Sequence, residues 1–434
     1  MNGRKAELKN IKKYLSLYAE PEIQCLPVIE YFPSDAFFVL PIFDEPIDKL
    51  QHFLNHKTSK AITMIWVFNT PEWIEGEHES LFLARERTVS AKQYFTQKLA
   101  MTAINDSLYS VQMNENIHLY ILDRCSPERQ IPLKQGVGLA RKLGMDLAIK
   151  LTCQQWLSST EQVSWIHSCD ADVTLPLSYF DIDEPCEKES VAIYEYQHVA
   201  EEGYQQAMDL YEFYLRYYVS QLKHAGSPYA FHTIGSLIAV TPLAYVQVRG
   251  IPKRSGAEDF YFLNKLAKVG TVRSLSEPVL LIAGRPSQRV PFGTGPSICK
   301  IKAMENPEEE YRYYHPKVFS MLKKLLSVVA SVEHSIASYD LFIQRLSFKM
   351  ESAEVVHVIA VLEALNFKKQ YRHLATKKDK ASFINAFHVW FDAFVTLRFI
   401  HILRDRVFPS ITLRNLAKEG INIEYSSRSS SMGV

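Results

Sequence analysis

Paired cysteines are missing from this sequence. Its six cysteines, Cys25, Cys125, Cys153, Cys169, Cys186 and Cys299, include no Cys-x-x-Cys. Neither a zinc site nor a disulfide framework is indicated, and reduced thiols in a cytoplasmic protein are the simplest reading. Net charge is nearly absent too: at +1 over 434 residues, no overall field draws the chain to nucleic acid. The start, Met1 to Glu7, runs into charge without the apolar core of a signal peptide. No internal repeat is visible. There is no phosphate-binding P-loop, no His-Glu-x-x-His and no Gly-x-Ser-x-Gly. Gly136-Val137-Gly138-Leu139-Ala140-Arg141 lacks the third glycine of a dinucleotide fingerprint and follows no convincing strand, which argues against a dehydrogenase.

What is present is a large apolar complement. At 47% hydrophobic and 22% charged residues, the chain buries a sizeable core and divides into two domains. Short apolar runs at Phe37–Ile42, Ile62–Phe68, Ile117–Leu122, Val163–Ser168 and Val191–Tyr196 read as strands. Helical patterns fall between them, over Ile47–Leu54 and Val137–Leu151. Such alternation predicts an α/β fold with a doubly wound, mostly parallel sheet. Residues 77–113 read as helical or irregular. A long aromatic helix is expected over Tyr204–Leu222; its rings could stack on a sugar or acceptor, but packing in a core is favoured. The boundaries that follow are an amphipathic leader over 1–35, an α/β domain over 36–300, a helical domain over 307–417 and a tail over 421–434 with the composition of disorder. Phe383–Leu403 is nearly apolar but carries Asp392 and Arg398, so a buried helix is favoured over a membrane span. Peripheral membrane contact stays open.

Two acidic constellations carry the chemistry. Cys169-Asp170-Ala171-Asp172 closes the Val163–Ser168 strand. Open α/β sheets bind ligands at such strand ends. Two carboxylates one residue apart can share a hard cation, Mn²⁺ or Mg²⁺, together with substrate phosphates. Gly256-Ala257-Glu258-Asp259 opens a helix that Gly270 stops, placing both acids where the helix dipole favours carboxylates. Ordinary capping accounts for an isolated Glu-Asp pair. Beside a metal-holding turn, Asp259 becomes a candidate base. Arg285 and Arg289 sit in a Gly/Pro-rich loop that could close over a diphosphate. A solvated loop explains them equally well.

These residues, in this order, resemble the GT-A glycosyltransferases, in particular the family 2-like group, over about Phe37 to Gly295. Phe38-Val39-Leu40-Pro41-Ile42-Phe43-Asp44-Glu45 is similar to that family's opening strand. Ala140-Arg141-Lys142-Leu143-Gly144 is similar to its Ala-Arg-Asn-x-Gly helix. Asp170-Ala171-Asp172 matches the metal motif, and Gly235-Ser236-Leu237 with Glu258-Asp259 matches the acceptor segment and base. Asp44 stands where asparagine is usual, and Asn69 where many relatives carry an acid that reads the nucleobase.

The resemblance implies a hexosyltransferase-like enzyme moving a sugar from a nucleotide-diphosphate donor to an acceptor hydroxyl with inversion. It implies Mn²⁺ or Mg²⁺ on Asp170 and Asp172, and Asp259 as base. Pro41, Phe43, Asp44, Glu45, Asn69, Arg141 and Ala171 would lie on the donor side, although a structural ion pair fits Arg141 as well. Gly235, Ser236, Glu258, Arg285 and Arg289 would lie on the acceptor or diphosphate side. Two alternatives remain open. A nucleotidyltransferase on the same fold would want a glycine-rich basic loop after the first strand, which Ile42-Phe43-Asp44-Glu45-Pro46 is not. The other is a non-catalytic binding module derived from a transferase.

Overall fold

A computed structural model describes residues 2–73, 78–159, 163–286, 293–332 and 338–421. The chain forms two compact units, one of residues up to Val199 with Thr233–Ala283, the other of Ala200–His232 with the residues from Gly284 on. The helix Gln205–Ala225 thus belongs with the later helices, not with the sheet.

Among the described residues ten strands build one mixed sheet. In chain order they are β1 (Ala36–Ile42), β2 (Ile62–Asn69), β3 (Thr102–Ala103), β4 (Leu108–Gln112), β5 (Ile117–Arg124), β6 (Trp165–Ser168), β7 (Val173–Thr174), β8 (Glu189–Ala200), β9 (Ile238–Val240) and β10 (Thr271–Gly284). Their spatial order is β3-β4-β5-β2-β1-β6-β9-β8-β10-β7. The centre, β5-β2-β1-β6, is parallel. On one flank β3–β4 and β4–β5 are antiparallel, and on the other β6–β9, β8–β9 and β7–β10 are. The expectation of a mostly parallel sheet therefore holds for the centre alone.

The centre is parallel because its strands are apolar on both faces. Every residue of β1 and β2 is buried, as a sheet covered on both sides requires. Successive side chains point to opposite faces. Phe38 meets Phe53 of the helix Ile47–Leu54, ring centroids 5.7 Å apart. Val39, on the other face, meets the helix Gly136–Ser158 at Gly144. A Cβ on Gly144 would lie 2.4 Å from Val39 Cγ1, so only glycine lets this helix lie so close to the sheet.

The helix Asn2–Leu17, read from sequence as part of a leader, packs on the helix Gly136–Ser158. Tyr14 and Tyr245 hydroxyls donate to Asp146 Oδ1 at 2.5 and 2.7 Å, and Lys142 Nζ donates to Asp146 Oδ2 at 2.9 Å. All four side chains are buried, and each strong donor or acceptor has a partner, as a buried polar cluster must.

Among the described residues between Pro307 and Lys418 the second unit is built of helices, with an isolated bridge between Tyr313 and Ile411. Tyr217 and Phe213 of the aromatic helix pack on Tyr313, and Tyr214 on Tyr314, in the core of this unit. The apolar stretch near its end is two helices, Lys380–Trp390 and Ala393–Arg406, bent by 68°. Among the described residues no single helix is long and apolar enough to cross a membrane. The tail beyond Ile421 lies outside the described residues.

Candidate functional site

The order β5-β2-β1-β6 reverses at β1, whose crossovers lead first to β2 and β5 and later to β6 on its other side. Ligands of open α/β sheets bind at this kind of switch point, beyond the carboxyl ends of the strands. Two of the sequence-predicted groups flank it: Phe43, Asp44 and Glu45 follow β1, and Asp170, Ala171 and Asp172 follow β6. Pro41 has a reason of its own. Val39 accepts from the Cys169 N–H at 3.1 Å, so Pro41, two residues on, faces the same flank after β6 has ended. Its missing N–H is not needed there.

The acidic turn is tied at both ends. Cys169 is anchored on β1, Val173 N donates to Asp170 O at 3.2 Å, and Ala283 N of β10 donates to Asp172 O at 2.9 Å. Ala171 is buried, and the Asp170 and Asp172 side chains are half-buried.

Arg141 joins the two acidic constellations. It lies 3% exposed on the helix Gly136–Ser158. Its Nη2 donates to Asp170 Oδ1 at 2.6 Å and its Nε to Glu258 Oε1 at 3.1 Å. Its Nη1 donates to Ser168 Oγ at 2.7 Å and to Cys169 O at 3.2 Å. Burial works against the guanidinium's charge, but Asp170, Glu258 and Asp259 together outweigh it and raise the Arg141 pKa. An ion pair for Arg141 is within what its sequence context allows. Nothing in the sequence signals that one side chain holds both motifs, or that Ser168 and the Cys169 carbonyl complete its shell.

Gly235 and Ser236 lie in a buried turn, Gly235–Leu237, leading into β9. A Cβ on Gly235 would sit 2.6 Å from Arg141 Nη2 and 2.9 Å from its Cζ. Arg141 is fixed by four hydrogen bonds and cannot swing aside. Gly235→Ala should therefore destabilise the fold by about 1–3 kcal/mol, the usual cost of overpacking. Urea unfolding checks this, and an unchanged midpoint would show that Arg141 has room to move.

The helix Glu258–Leu266 starts after Ala257, which holds a left-handed φ of 57°. Alanine pays for that conformation with roughly 1–3 kcal/mol of strain, which the packing around it must offset. The helix Gly136–Ser158 supplies part of that packing: Gly138 N donates to Arg254 O at 3.0 Å, in the loop leading to Ala257. Glu258 is buried against Arg141, and Asp259 is half-buried. Burial, with Glu258 beside it, pushes the Asp259 carboxyl up to about 7, against the pull of Phe260 N–H and Arg141. The helix-start position alone favoured an ordinary ionised carboxylate; desolvation and the crowding of acids reverse that direction.

The remaining expected residues divide. Asp44 has a φ of 57°, its N–H donates to Thr88 Oγ1 at 2.9 Å and its Oδ1 accepts from Arg87 Nε at 2.7 Å. Phe43 and Glu45 are half-buried in the same loop. Asn69 is buried, and its Nδ2 donates to Ile42 O and Val67 O, both at 3.1 Å. Its amide donors thus fix the ends of β1 and β2. Arg285 follows β10 and groups with the helical unit. Arg289 lies outside the described residues.

Among the described residues no three His, Cys, Asp or Glu side chains gather as a metal cage. The donors present still fit a hard cation shared with a phosphate ligand. Such an ion takes one or two carboxylates plus phosphate oxygens. Arg141 occupies Asp170 Oδ1 and leaves Oδ2 for a second cation.

The first unit is thus built on an open α/β sheet with an acidic turn at its switch point. No family model matches the sequence, and no curated protein matches it either.

Proposed function

We propose that this chain is a metal-dependent glycosyltransferase of the GT-A type, moving a sugar from a nucleotide-diphosphate donor to an acceptor hydroxyl with inversion. One observation carries the reading: Asp170-Ala171-Asp172 lies at the switch point beside β1, and Arg141 joins it to the helix start that bears Asp259. Asp170 and Asp172 would hold Mn²⁺ or Mg²⁺, which when bound supplies positive charge against the departing diphosphate. The loop Phe43–Glu45 borders the nucleoside. Asp259 takes the acceptor's proton as the acceptor oxygen bonds the sugar carbon and the bond to the diphosphate breaks. A carboxylate with a pKa near 7 is matched to that task at neutral pH. Glu258, paired with Arg141, positions the helix start and leaves the proton transfer to its neighbour.

Calorimetry with nucleotide-diphosphate sugars tests the metal assignment. In Mn²⁺, Asp172→Asn should bind the donor at least about tenfold more weakly, the lower end of what losing even an outer-shell partner costs a metal site, with the fold intact. Equal affinity in variant and wild type, with or without EDTA, would remove Asp172 from the site.

A further inference from the structure

The chain is close to neutral, yet six basic side chains fall within residues 368–380: Lys368, Lys369, Arg372, Lys377, Lys378 and Lys380. The one carboxylate among them, Asp379, is committed elsewhere. Its Oδ1 accepts from Ser382 N and its Oδ2 from the Ser382 hydroxyl, both at 2.8 Å, capping the helix Lys380–Trp390. The helix Phe367–Leu374 turns Phe367, Tyr371 and Leu374 into the core of the helical unit and leaves Lys368, Lys369 and Arg372 exposed. Phe367 stacks on Trp390 at 5.1 Å and meets Phe342 at 5.2 Å, so the charged face stands on a fixed base. Like charges this dense repel one another, and an anionic partner relieves that repulsion.

We propose that this basic face docks the helical unit on an anionic lipid surface. Two features choose lipid. Lys368, Lys369 and Arg372 on the helix Phe367–Leu374, with Lys377, Lys378 and Lys380 just beyond its end, make a basic cluster of the size that binds anionic headgroups. The helix Tyr339–Lys349, packed on Phe367 through Phe342, carries Phe348, 87% exposed, in its last turn next to exposed Lys349. An exposed phenylalanine next to a lysine suits the boundary between headgroup and acyl chain. The inference is independent of the reading of the acidic site.

Co-sedimentation of the full chain with vesicles tests it. Binding is expected to vesicles rich in phosphatidylglycerol, to fall as salt is raised, and to be absent with phosphatidylcholine alone. The triple variant Lys368→Gln, Lys369→Gln, Arg372→Gln changes exposed residues only and should bind about a hundredfold more weakly, with an unchanged circular dichroism spectrum. Lys9→Gln, Lys12→Gln, Lys13→Gln, on the basic helix of the sheet unit, should bind as wild type. No binding to anionic vesicles, equal binding to both lipids, or loss in the second triple variant instead of the first would overturn the proposal. Binding to an oligonucleotide without binding to vesicles would replace it with a polynucleotide partner.

Discussion

Asp259→Asn is expected to lower the rate of sugar transfer by about two to four orders of magnitude, the range that a positioned general base supplies. Donor affinity should hardly change, because the substitution keeps the shape and the acceptor of the Phe260 N–H bond. Wild-type transfer should rise as pH passes through 7, where Asp259 gives up its proton. The same variant has an opposite effect on stability. An unfolded aspartate ionises at about pH 3.9. The folded chain holds that proton up to about 7. Between the two, folding binds a proton that unfolding releases, so stability from this group falls as pH rises. The cost of ionising Asp259 is absent well below pH 4 and complete above pH 7. Asparagine removes it, so the variant's melting temperature relative to wild type should climb between about pH 4 and pH 7 and level off above. An inactive variant with this gain fits a base held in a crowded acidic site. A variant that transfers sugar at the wild-type rate excludes Asp259 as the base. Glu258→Gln should reduce the rate less, since Glu258 acts through Arg141.

The second large effect is structural. Arg141→Ala should cost about 3–5 kcal/mol of unfolding free energy, the usual penalty for removing one partner of a buried ion pair. It would strand Glu258, whose side chain is 5% exposed, while Asp170, one-third exposed, finds water more easily. Arg141→Lys should recover only part of the loss. One ammonium cannot reach Ser168, Cys169, Asp170 and Glu258 with the planar fork that Arg141 uses. Denaturant midpoints of the two variants measure both claims; a lysine variant as stable as wild type would show that charge alone suffices.

The parts of the fold legible in the sequence are those where burial writes a pattern. β1 and β2 are apolar on both faces, and the helix Gly136–Ser158 is buried along most of its length, so their runs stand out. The flanks do not. β4 is half-exposed Leu-Tyr-Ser-Val-Gln, β3 is two exposed residues, and β10 begins Thr-Val-Arg-Ser with little of it buried. Strands of this kind owe their pairing to a neighbour's edge and carry little periodicity of their own. The candidate site divides in the same way. Asp170 and Asp172 could be found because an apolar strand ends on them. The bridge through Arg141 could not, because Glu258 lies 117 residues further along the chain. Asn69 shows the limit of reading a residue by position. Its place at the end of β2 is as expected, but its amide donors serve the backbone of Ile42 and Val67.

Nucleotide release is the most direct measurement of the central claim. The chain would be incubated with a panel of nucleotide-diphosphate sugars and Mn²⁺, and free nucleoside diphosphate followed over time. The account predicts release from at least one donor, abolished by EDTA and strongly reduced in Asp172→Asn. No release from any donor, or release that neither EDTA nor Asp172→Asn diminishes, would contradict it.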